Sequence, residues 1–126
     1  MKPILLSAAP FVLLVAACGS GGSRFYSLPK TQACLSAKHL RIGGPLDFVA
    51  TTATGGALRA HLRSNFVTIV FGATAADADN IDQAYRRFHA KNVGIDDVLR
   101  EDHNAVLLWH EHPADADLAA ITGCLK

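Results

Sequence analysis

The feature that most constrains the fold is a run of apolar and β-branched residues, FVTIVF, at positions 66–71. A strand that is apolar on both sides is usually central in its sheet and covered on both faces. Residues 57–63 alternate apolar and polar side chains with the period of a half-buried strand. Ser64-Asn65 favours a tight turn between them. Residues 57–71 therefore predict a β-hairpin.

The rest of the domain supplies a second hairpin and three helices. Residues 98–100 and 105–109 predict the hairpin, joined by a polar turn. Thr74 and Asp77 predict the start of the clearest helix, because both are typical of helix N-termini. Its apolar stripe, which predicts an inward-facing side, comprises Ile81, Ala84, Tyr85 and Phe88. The other predicted elements are a helix over 27–38 with Ser27 as its N-cap, a helix over 114–125, and short strands at 40–42 and 47–50.

The two halves follow the same order of strand, turn, strand and helix. Asn65 precedes one apolar strand and Asn104 precedes the other, and each strand leads to an Asp-Ala-Asp triplet, at 77–79 and 115–117. Chance repetition in a chain rich in Ala and Asp is the alternative. A pair of ββα units predicts an α+β fold, a two-layer sandwich in which helices cover one face of a mainly antiparallel sheet of about four or five strands.

The N-terminus predicts export. Residues 4–17 are apolar but shorter than the roughly 20 residues of a membrane-spanning helix, and they follow the basic Lys2. They end in Val-Ala-Ala-Cys, at 15–18, which resembles the lipobox of bacterial lipoproteins. The resemblance implies cleavage before Cys18, a lipid on its thiol, and a place on the extracytoplasmic side of the cell membrane or outer envelope. An ordinary secretory signal cut nearby is the alternative.

The domain organisation follows from this segment. We expect a signal peptide at 1–17, a lipidated Cys18 with a flexible Gly/Ser tether at 18–26, and one α+β domain at 27–126. The formal net charge of the whole chain is +1, and Lys2 is the one charged residue of the signal. A mature chain without net charge has no electrostatic reason to bind nucleic acid, so we expect no such partner.

Two cysteines remain after Cys18, and they lie near opposite ends of the domain. Outside the cytoplasm such a pair usually forms a disulfide, here between Cys34 and Cys124, although two buried thiols are the alternative. The Cys-Leu pairs at 34–35 and 124–125 and the Leu108-Trp109 strand end also resemble small domains of secreted and lipid-anchored actinobacterial proteins. That resemblance implies no particular activity.

Two sets of side chains are candidates for binding. His110 and His112 would share a face if the last strand continued past Trp109, and with His61 or His39 they could hold Zn²⁺ or Cu²⁺. An exposed, unligated strand end is the alternative, and we expect no cofactor. Arg59, His61 and Arg63 form a row that could contact a carboxylate or phosphate, or that simply keeps a strand soluble.

No nucleophile or phosphate-loop motif occurs in the chain. The sequence therefore favours a non-enzymatic, lipid-anchored binding or structural module of the cell envelope, with a metal-binding envelope protein as the alternative. Residues 43–56 are available to cover the second face of the sheet. If they leave it open, that face predicts a surface for a protein partner or for self-association.

Overall fold

The structure, a computed structural model, describes residues 25–89 and 94–126. Its strands are β1 (Arg41–Ile42), β2 (Ala57–His61), β3 (Phe66–Phe71), β4 (Leu99–Asp102) and β5 (Ala105–Trp109). Its helices are α1 (Leu28–Ala37), α2 (Phe48–Thr51), α3 (Ala75–Phe88), α4 (Ile95–Val98) and α5 (Asp115–Thr122). The predicted signal peptide and Cys18 lie outside the described residues.

The strands form one open sheet in the order β1-β2-β3-β5-β4, and all neighbouring strands are antiparallel. The α+β class, the antiparallel sheet and both predicted hairpins are thereby confirmed. The apolar strand β3 is central, as its composition predicted. Among residues 25–89 and 94–126, no helix combines the length and the apolar character that crossing a membrane requires.

Side-chain caps start three of the helices. The Ser27 hydroxyl accepts a hydrogen bond from the Lys30 amide at α1, and the Thr74 hydroxyl accepts one from the Asp77 amide at α3, as predicted. The short strand predicted at 47–50 is wrong, because Asp47 accepts a bond from the Ala50 amide and starts α2 instead. A capped turn satisfies these amides locally, which a strand without a neighbour could not do.

The helices lie on both faces of the sheet, which differs from the single helical layer that we predicted. On the first face, Leu35 of α1 and Ile121 of α5 pack against Ile69 and Leu107. On the second face, Ile81 of α3 belongs to a core with strand residues of β3 and β5. These two strands carry apolar side chains on both sides, so one helical layer could not bury them.

The predicted repeat is present as an order of elements but not as one layer. The hairpin β2–β3 is followed by α3, and the hairpin β4–β5 is followed by α5. Because α3 and α5 pack on opposite faces, the two ββα segments do not place their helices side by side. The result is a sheet between helices rather than a two-layer sandwich.

The predicted disulfide between Cys34 and Cys124 is confirmed. It joins residues 90 positions apart, with a Cα–Cα distance of 5.4 Å, and ties α1 to the end of α5 on the first face. The predicted tether ends earlier than position 26, because the Tyr26 amide donates to Asn104 Oδ1 and its ring packs on the first core. The whole sheet, both cores and the disulfide lie within residues 25–126.

Candidate ligand-binding pocket on the sheet face

Among residues 25–89 and 94–126, the helices cover the second face of the sheet only in part, and a cavity of about 620 Å³ lies on this face. We call it the sheet-face pocket. Its volume lies within the range of small-molecule binding sites in proteins. Its walls come from β2, β3 and β5 below and from α2, α3 and α4 around the edge. The apolar side chains of the wall include Phe48, Val49, Phe88, Ile95, Val98 and Leu108.

Two phenylalanines of this wall are strongly exposed. Phe48 of α2 is 75% exposed and Phe88, the last residue of α3, is 67% exposed. The helical stripe predicted Phe88 to face inward, but Phe88 ends the helix at the rim of the pocket, where the described part of the chain leaves it exposed. Large apolar side chains beside an apolar cavity are typical of a binding surface.

The register of the sheet places Arg59 in the floor of the pocket. Leu58 and Ala60 of β2 point into the first core, so Arg59 between them points to the second face. Arg59 pairs directly with Thr68 on β3, and Thr68 pairs with Leu108 on β5. Across the floor of the pocket, β2 therefore contributes a cation, β3 a hydroxyl group and β5 an apolar side chain.

Three basic side chains contact or lie close to the Phe66 ring. His61 lies opposite Phe66 on β2, with ring centroids 5.9 Å apart. His110 stacks on the other side of Phe66 at 4.4 Å, and its amide donates to the Phe66 carbonyl. The Arg59 guanidinium carbon lies 4.3 Å from the Phe66 centroid, a cation–π contact. We call Arg59, His61 and His110 the basic corner.

One nitrogen of His61 is already in use. His61 Nε2 lies 2.7 Å from the Gly43 carbonyl oxygen, which can only accept, so this nitrogen carries the proton and donates. The bond holds the loop after β1 against β2. It leaves only the other ring nitrogen of His61 available to a ligand.

Asp47 and Tyr85 close another side of the pocket. The Tyr85 hydroxyl donates to the Asp47 carboxylate, whose two oxygens lie 3.0 and 2.9 Å away, and the same carboxylate caps α2. Burial, followed by the bond to Asp47, raises the pKa of the Tyr85 phenol well above its ordinary value. The phenol therefore stays protonated, and it fixes α2 against α3.

Charged contacts hold α4 at the edge of the pocket. Arg86 of α3 bonds both Asp82 and Asp96, and these bonds raise its pKa while lowering that of Asp96. On the other side of α4, His112 Nδ1 lies 2.5 Å from Asp97 Oδ1. The acidic pair at 96–97 thus positions the helix whose Ile95 lines the pocket.

The structure separates the predicted metal residues. The strand ends at Trp109, so His110 lines the pocket whereas His112 turns away to Asp97. In the described part of the chain, no three His, Cys, Asp or Glu side chains are grouped so that they could hold a metal ion.

Of the predicted anion row, Arg59 lies in the pocket and His61 beside it. Arg63 lies past the end of β2, is exposed, and does not line the pocket. The structure thus brings His110, a predicted metal ligand, together with Arg59 and His61 from the predicted anion-binding row.

Sequence reasoning missed Phe48, Phe66 and Asp47 as pocket residues. Phe66 and His61 were each visible in a strand, but their contact depends on the register of β2 against β3. Phe48 was assigned to a strand that is in fact a helix. The one usable signal was that the strands at 66–71 and 105–109 are apolar on both sides, so a single layer of helices could cover only one face of the sheet.

Comparisons of the chain with family models, with curated proteins and with solved structures give no match.

Proposed function

We propose that this protein is a lipid-anchored, extracytoplasmic binding module without catalytic activity, which takes its ligand in the sheet-face pocket. The observation that carries the proposal is the pocket itself: about 620 Å³, apolar, and bordered by two exposed phenylalanines. Burial of such side chains by a ligand contributes roughly 25 cal/mol for each Å² of apolar surface. The pocket therefore offers binding energy without requiring any reacting group.

The anchor and the compartment are supported by separate features. The Val-Ala-Ala-Cys sequence at 15–18 and the Gly/Ser stretch after it suit a lipidated cysteine with a tether. The disulfide between Cys34 and Cys124 suits an oxidising compartment. A domain tethered in this way would present its pocket to the solvent close to the membrane surface.

Binding is tested with N-phenyl-1-naphthylamine, a neutral apolar dye whose fluorescence rises in apolar surroundings. The protein is residues 18–126 with Cys18→Ser, which contain the whole sheet and both cores. We expect saturable binding of one dye per chain. Replacing both rim side chains, Phe48→Ser with Phe88→Ser, should weaken it about tenfold, since this removes the largest apolar surfaces of the rim.

The matched control is Phe25→Ser. Phe25 is also an exposed phenylalanine, at 50%, but it does not line the pocket. The control should leave dye binding within twofold of the parent. Non-saturable dye uptake, or an equal loss in the control and the rim variant, would contradict a binding role for the pocket.

The anchor is tested by the intact mass of protein purified from its own host. A chain that begins at Cys18 with an added lipid mass supports the anchor, and a mass gain of about two daltons on reduction accompanies one disulfide. A chain without lipid would return the protein to the secreted, soluble class and leave the pocket proposal unaffected.

A further inference from the structure

The positively charged Arg59 has no acidic partner among the described residues. Its guanidinium forms no ion pair with any described carboxylate, and the described residues include all 11 Asp and Glu residues of the chain. Its Nε is buried and has no hydrogen-bond partner in the described part of the protein. Removing a charged donor from water without a partner is costly, so the arrangement favours a bound anion.

The geometry suits a planar anion. The contact of the guanidinium with the Phe66 ring limits how it can turn, and a guanidinium presents its N–H groups as a fork that matches the two oxygens of a carboxylate. His110, stacked on the same ring, adds a second basic group at this end of the pocket. The basic corner therefore specifies where the anionic group would lie.

The remaining walls specify the rest of the ligand. Asp47 is the one carboxylate of the pocket wall, and its oxygens already accept bonds from Tyr85 and from the Ala50 amide. In the register of the sheet, Thr68 separates Arg59 from the apolar Leu108, and Phe88 is a further apolar side chain of the wall. At the roughly 30 Å³ that a water molecule occupies in the liquid, the cavity has room for about 20 non-hydrogen atoms.

Building on the proposed function, we propose that the sheet-face pocket binds a single-chain amphipathic carboxylate, such as a fatty acid. The carboxylate pairs with Arg59, and the hydrocarbon chain lies along Leu108 between the two exposed phenylalanines. A cationic amphiphile of the same length would place its charge against Arg59, and a neutral one would leave Arg59 unpaired. The pocket should therefore discriminate between headgroups on one hydrocarbon chain.

The test uses three probes with the same chain length: dodecanoate, dodecanol and dodecyltrimethylammonium, each below its micelle concentration. Displacement of the naphthylamine dye and calorimetric titration measure their affinities for residues 18–126 with Cys18→Ser. We expect dodecanoate to bind about tenfold more tightly than dodecanol, because charge-assisted hydrogen bonds form at Arg59, and the cationic probe to bind most weakly.

Variants assign the discrimination to one side chain. Arg59→Gln should weaken dodecanoate binding about tenfold and leave dodecanol within twofold, whereas Arg59→Lys, which keeps the charge but loses the fork, should fall between them. Arg63→Gln is the matched control, because Arg63 carries the same charge outside the pocket, and it should change nothing. Dodecanol affinity also reports whether each variant has retained its pocket.

The outcomes separate the ligand class from the proposed function. If the dye binds but the three probes show no headgroup preference, or if Arg59→Gln and Arg63→Gln have equal effects, the proposal of a carboxylate ligand is wrong. The proposed binding function of the pocket is then unaffected. Absence of binding by the dye and by all three probes overturns both. A concentration-dependent dimer in sedimentation experiments that excludes the dye would show a second copy of the chain in the pocket, and this also overturns the carboxylate.

Discussion

The side chain of Asn104 should be one of the most costly to remove from this protein. It is 1% exposed, its Oδ1 accepts from the Tyr26 amide at 2.6 Å, and its Nδ2 donates to the carbonyls of Tyr26 and Gly72 at 2.9 and 2.8 Å. Each such bond contributes about 1 kcal/mol net, and its loss leaves polar groups unsatisfied. We expect Asn104→Ala to lower the free energy of unfolding by about 3 kcal/mol.

The matched control is Asn65→Ala, at the corresponding place before the other apolar strand. Asn65 also makes three side-chain hydrogen bonds, to Phe66 and Glu111, but the bonds to Glu111 are exposed to solvent, where water can replace them. We expect a loss of about 1 kcal/mol. Urea unfolding of both variants, with the disulfide intact, measures the difference. Equal losses in the two variants would contradict the inference that burial makes the Asn104 hydrogen bonds more stabilising than those of Asn65.

Two further predictions concern the disulfide and the effect of pH. Replacing Cys34 and Cys124 together with Ala should cost up to about 4–5 kcal/mol, because a loop of 90 residues is released; calorimetric melting checks this, and a loss under 1 kcal/mol would contradict it. Partial desolvation of its carboxyl group, although the residue as a whole is exposed, followed by the neighbouring carboxyl of Asp79, raises the pKa of Glu101 from 4.5 to about 7. The folded state therefore holds this proton more tightly than the unfolded state, and its contribution to stability is complete below pH 4.5 and lost as pH rises through 7. The free energy of unfolding should therefore decline between pH 5 and pH 8, and because Glu101 is exposed, Glu101→Gln should reduce this decline by only about 1 kcal/mol. Urea unfolding at low salt measures both proteins, and identical pH profiles would contradict a raised pKa of Glu101.

Local patterns predicted most of the elements of this fold. Alternation along β2, the apolar run of β3, and the hydroxyl caps Ser27 and Thr74 each depend on residues close in the chain. The same reasoning assigned α2 to a strand, because a four-residue segment has too little periodicity to distinguish the two. Only the cap bond from Asp47 identifies it as a helix.

The binding site was less predictable because its parts come from different elements. Arg59, His61 and His110 were each singled out, but in two separate sets with different chemistry. These three side chains come together around Phe66 because of the register between β2, β3 and β5. A shift of register by one residue would turn Arg59 into the first core and remove it from the pocket.

Local sequence patterns were sufficient to predict both hairpins, the helices capped by Ser27 and Thr74, and the cysteine pair, because each depends on short-range preferences or on how many cysteines remain to pair. The packing of the complete domain places α3 on one face of the sheet and α1 and α5 on the other. The same packing places Phe88, the last residue of α3, in the wall of the pocket. The reason is that helix placement depends on burying apolar surface from several strands at once, which no single segment encodes.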